Sequence, residues 1–105
     1  MFYTLAAIQP LHATVSGGAG KVTSNPAGIS CGFRLAQCTV NFATGTSVTL
    51  TAFGLVDASG NEFDFDHWEG ACAPARTFPK CTLTMNAPQT VVAVMVKVGF
   101  EPPPH

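Results

Sequence analysis

The chain has 105 residues, six acids against five Lys or Arg, and a net charge of −1, which leaves no basic stripe for a phosphate backbone and no charged tail for an oppositely charged partner. Nucleic acid is therefore set aside, and the length suits one domain with a single hydrophobic core. Charged residues make up 10% of the chain, against about 25% in an average globular protein. Ser and Thr supply the polarity instead, a surface chemistry common in secreted β-rich proteins.

In chain order, MFYTLAAIQP comes first. It is apolar and β-prone, but no Lys or Arg precedes Lys21 and Pro10 interrupts it. That is neither an ordinary signal peptide nor a membrane span, which needs about 20 apolar residues. A removed signal, a different export route, or a virion protein stapled after release would each account for it. Residues 1–10 are read as an N-terminal extension whose Phe2, Tyr3, Leu5 and Ile8 form an added strand. That strand lies either on the chain's own sheet or on the open sheet edge of a neighbouring copy; the remaining alternative is a disordered terminus.

Beyond Pro10 no window keeps a 3.6-residue period, and alternation dominates. LHATVSG sets Leu11, Ala13 and Val15 on one face; GKVTS is short and ends at the turn NPAG. CTVNFA alternates Cys38, Val40 and Phe42. After a turn, SVTLTAF sets Val48, Leu50 and Ala52 against Ser47, Thr49 and Thr51. DASGNE is a loop, FDFDHW alternates at first, and CTLTM sets Cys81, Leu83 and Met85 on one face. TVVAVMVKV is a long β-branched run with few polar gaps, expected to be a central strand buried on both faces. EPPPH lacks the donors for a ladder, so residues 101–105 form a Pro-rich tail. The expected fold is all-β or β-rich, a small sandwich-like or β-grasp-like domain of about six to eight short strands over residues 11–100. The segment from Cys38 echoes the segment from Cys81, read either as two ordinary hairpins or as a doubled supersecondary unit.

Four Cys in a short chain suggest a disulfide framework in an oxidising compartment. Of three possible connectivities, the local one, Cys31–Cys38 with Cys72–Cys81, is favoured because each pair brackets a loop containing Gly or Pro. Structural zinc prefers pairs two to four residues apart, closer than these, and neither a two-residue redox spacing nor a haem-attachment motif occurs.

FDFDHWEGAC, residues 63–72, gathers acids, a His and the single Trp. Asp57, Glu62, Asp64 and Asp66 could begin a calcium site, though without the ordered spacing of a helix–loop–helix calcium loop. Paired carboxylates for glycoside cleavage would need a cleft that so small a domain hardly offers. His67 beside an Asp lacks a nucleophile motif such as Gly-x-Ser-x-Gly, and His12 and His105 are isolated. No catalytic residue is assigned. Strict alternation would put Trp68 on the face of Asp64 and Asp66, opposite Phe63 and Phe65. Alternation alone would thus bury either His67 with two Phe or Trp68 with two acids.

GKVTSNPAGISCG, CTVNFATGTSVTLTA, FDHWEGAC and CTLTMNAPQTVVAVM together resemble the bacterial surface repeat domain related to the internalin B-repeat. The likeness runs from about Leu11 to Val96 through an ordered series of Gly, Pro, Cys and Trp positions. Departures are Lys21, where Thr is frequent, His67, where Gly usually precedes the Trp, and longer loops at FGLVDASGNEFDF and APARTFPK. The resemblance implies a small extracellular β-module without catalytic residues, of the kind found in adhesins. Its spacing also implies that Phe65 and Trp68 both face inward, which needs a β-bulge near Asp66–His67, with Gly70 making the turn and His67 facing water. The expectation is a non-enzymatic, secreted or cell-surface structural or adhesive module, pictured either as a surface module or as a subunit of a filament or virion exterior. Its partners would be proteins, including copies of itself through strand addition. The alternative is a ligand-binding module using the acidic loop for calcium or a glycan.

Overall fold

The computed structural model describes residues 7–98 and shows nine strands in two sheets. They are β1 (Ile8–Ser16), β2 (Gly20–Asn25), β3 (Ser30–Gly32), β4 (Leu35–Gln37), β5 (Thr39–Ala43), β6 (Ser47–Gly54), β7 (Phe63–Gly70), β8 (Lys80–Thr84) and β9 (Gln89–Lys97). One sheet has the order β5-β1-β9-β7, the other β4-β3-β2-β6-β8. The first and last of these strands, β1 and β9, lie side by side and parallel at the centre of the four-stranded sheet; its other pairings are antiparallel. The fold is thus a β-rich sandwich. The strand count exceeds the expected range because β3 and β4 form a minute hairpin turning at Phe33–Arg34, too short to show an alternation of its own.

Where alternation is strict in the sequence, it sets the buried face. Val48, Leu50 and Ala52 of β6 are buried, as are Leu11 and Ala13 of β1. They join Val22, Trp68, Met85 and Val91 in one core between the sheets, where burying each large side chain contributes about 1.5–3 kcal/mol. Two expectations need correction. β9 is central, yet only Val91, Ala93 and Met95 are buried; Val92 and Val94 are half-buried and Val96 is exposed. Among the described residues no third layer covers the outer face of its sheet, so the β-branched run reflects strand preference rather than burial on both sides. Likewise, the segments from Cys38 and Cys81 are not hairpins. Each crosses between sheets, from β5 to β6 and from β8 to β9. The two crossings bond to each other: Gly45 N–H donates to Met85 O and Met85 N–H to Thr46 O, both at 2.9 Å.

Both local disulfides are present, Cys31–Cys38 and Cys72–Cys81. The first ties β3, in one sheet, to the residue before β5 in the other, so it staples the sandwich across its layers. The second closes the loop between β7 and β8, which contains a 3-10 turn at Ala73–Ala75.

Candidate functional site

FDFDHWEG forms β7, on the edge of the four-stranded sheet. Phe65 lies opposite Met95 and His67 opposite Val94, so Asp66 is an extra residue without a partner. This is the bulge the inward pairing of Phe65 with Trp68 requires. Their rings stand 5.2 Å apart, tilted by 56°. Trp68 is buried; its indole N–H donates to Phe78 O at 2.8 Å and its backbone N–H to Arg76 O at 2.9 Å. The longer second loop is therefore laced to the core through Trp68. Gly70 adopts φ +75°, and a Cβ there would lie 2.4 Å from Thr90 O, so the position requires glycine.

The bulge also aims His67 outward between two acids. Its Nδ1 is 2.6 Å from Asp66 Oδ2 and its Nε2 is 3.0 Å from Glu69 Oε2. The two hydrogen bonds, that to Asp66 foremost, raise the imidazole above its ordinary value.

The four acids proposed for calcium do not converge. Among the described residues, no three His, Cys, Asp or Glu side chains are placed to share an ion. Asp57 is already spent on its own loop: Oδ1 accepts the N–H groups of Ser59 and Asn61 at 2.9 Å, and Oδ2 accepts the Asn61 amide. These bonds, the Asn61 backbone amide foremost, hold its carboxyl below the usual range. Asp66 is committed to His67. Glu62 bridges to Val56 through the backbone, and Asp64 sits on β7 opposite Val96. Spacing in sequence placed these oxygens near one another; the loop's internal hydrogen bonds and the bulge turn them apart.

A concave site lies elsewhere. A cavity of about 490 Å³ opens beside β1, within the range of ligand pockets. Its lining includes Ala13, Val15, Ala19, Phe33 and Phe63, together with Asp57 and the Cys31–Cys38 disulfide. β1 spans nine residues and β5 only five, so pairing between them stops at His12 with Thr39. One further bond follows, from Ala13 N–H to Cys38 O at 2.8 Å. Cys38 N–H then turns back to Ala36 O, and the disulfide leads the chain away. Cys31 Sγ, which carries no hydrogen in the disulfide, rests 3.3 Å from Ala13 O. The unequal lengths of the segments LHATVSG and CTVNFA were the available signal of this open edge, but with no partner assigned to β1 they pointed nowhere.

Of the proposed assembly strand, Ile8 belongs to β1 and pairs with Ala43 of its own sheet, as do Gln9 with Phe42 and Pro10 with Asn41. The boundary at residue 10 therefore falls inside a strand. Phe2, Tyr3 and Leu5 lie outside the described residues, as does the tail at 101–105.

Compared with protein-family models, curated proteins and solved structures, this chain matches none.

Proposed function

We propose that the chain is a non-enzymatic, extracellular structural or adhesive module, related to the internalin-type surface repeats and working as a subunit of a surface assembly. The observation that carries this reading is the cross-layer staple. A small sandwich whose two sheets are tied by Cys31–Cys38, and whose second loop is closed by Cys72–Cys81, suits an oxidising space and mechanical duty. Protein partners are supported by the two loops that are longer than the resembled pattern. Each exposes an apolar side chain, Val56 on the first and Phe78 on the second, at 52% and 64%. Asp57, Asp66, Glu69 and His67 are engaged with one another or with backbone at the surface, which favours a structural role for them.

Light scattering on the oxidised full chain across a wide concentration range tests the assembly. Association that strengthens with concentration is expected. A monomer at every concentration would remove the assembly part of this reading.

A further inference from the structure

We infer that the open half of the β1 edge is an acceptor for an added strand, and that its occupant is the N-terminal segment, residues 1–6, of a second copy. This rests on the assembly reading above and names the surface it uses.

The backbone sets the acceptor. Ala13 N–H points toward β5, since it bonds Cys38 O. Alternation then aims the N–H and C=O of Val15 the same way, away from β9. Among the described residues no strand lies there, because β5 has ended and the space is the cavity. A strand entering along the track of β5 would bond Val15 on both backbone groups. It would lay alternate side chains toward Ala19, Phe33 and Phe63, an apolar lining.

Chain reach selects the occupant. Residues 1–6 of the same chain start beside the far end of β1, where Ala7 O accepts Thr44 N–H. From Ala7 to Ala13 is about 20 Å along a strand, and six extended residues span at most about 21 Å. Joined to their own Ala7, these six residues would be used up in reaching the groove and could not themselves lie in it, so residues 1–6 of another molecule are the fitting occupant. FYTLA carries no charge and no Pro. Its two faces present Tyr3 with Leu5 and Phe2 with Ala6, so either register offers apolar side chains to the lining. The chain's own residues 99–105 hold three prolines in EPPPH, which cannot donate to a ladder. Donor and acceptor are different surfaces of one chain, so two copies can exchange segments about a two-fold axis, or the contact runs head-to-tail into a ring or filament.

The test uses a fluorescent peptide of residues 1–7 and the oxidised full chain at dilution. Binding is expected by anisotropy, together with slowed exchange of the Val15 amide in NMR. At higher concentration, excess unlabelled peptide should dissolve the assemblies. Val15→Pro removes only the outward N–H, leaves the β9 ladder its donors, and should weaken peptide binding about tenfold or more. If Val15→Pro misfolds, as judged by loss of the Trp68 signal, the amide-exchange readout on the unmutated chain decides alone. Peptide that leaves Val15 exchange unchanged overturns the proposal. So does peptide that binds only after truncation beyond Val98, which would make the chain's own tail the occupant. Assemblies that form but resist the peptide and Val15→Pro sink the groove and leave the assembly reading standing. Val15-dependent peptide binding by a chain that stays monomeric does the reverse.

Discussion

His67 shows how a single inserted residue changes what a side chain does. The unpaired Asp66 turns the imidazole out between Asp66 and Glu69, and both carboxylates favour its protonated form. A raised folded value means the contribution is fully present below the unfolded value, about 6.5, and is lost as pH rises through the folded one. NMR titration should place the His67 imidazole above its unfolded value, and His67→Gln should flatten the stability profile across that window. A titration at or below the unfolded value would show that the two carboxylates do not hold the ring. Asp57 works in the opposite sense. Its depressed carboxyl contributes above the unfolded value and loses the contribution as pH falls through the folded one. Asp57→Ala should therefore destabilise the protein at neutral pH and matter little in strong acid. Amide exchange in residues 57–62 is the local readout, and unchanged protection there at neutral pH would count against the loop-closing role.

At the scale of the element, β7 depends on its bulge. Removing Asp66 restores strict pairing with β9 and turns either the Phe63–Phe65 face or Trp68 to the wrong side. The loss is comparable to deleting a buried aromatic, about 3–5 kcal/mol. Urea unfolding of the deletion variant checks this, and a change within about 0.5 kcal/mol, as at an ordinary surface site, would mean the bulge is not needed. Trp68→Phe keeps the ring but strands the Phe78 carbonyl; it should cost about 1–3 kcal/mol and loosen the loop between β7 and β8. The bulge was legible only through the resembled pattern, which sets both Phe65 and Trp68 inward although they are three apart; alternation alone left open whether His67 or Trp68 is buried. The convergence of acids was not legible, since carboxylates close in sequence are aimed by hydrogen bonds to Ser59, Asn61 and His67 that spacing does not encode.

For the whole molecule, the disulfides act on the unfolded chain. Each closes a short loop and stabilises by about 2–3 kcal/mol on the chain-entropy account, a large share of the 5–15 kcal/mol typical of a domain. Replacing Cys31 and Cys38 by Ser should also let the β3–β4 hairpin drift from β1, because that staple spans the layers. The replacement should lower the urea midpoint and expose amides of residues 30–38 to exchange. An unchanged midpoint would show the cross-layer link to be dispensable. The sequence alone determined the β class, the buried face of β6 and the local pairing of Cys. Alternation, turn residues and short loop closure are properties of neighbouring residues, readable wherever they occur. Only the tertiary structure decided which strands became partners. That choice set β1 beside β9, sent two apparent hairpins across the layers, exposed the outer face of β9 and left half of β1 open. Pairing joins residues far apart in the chain, and its energy depends on the shapes of two surfaces that exist only once both sheets have formed.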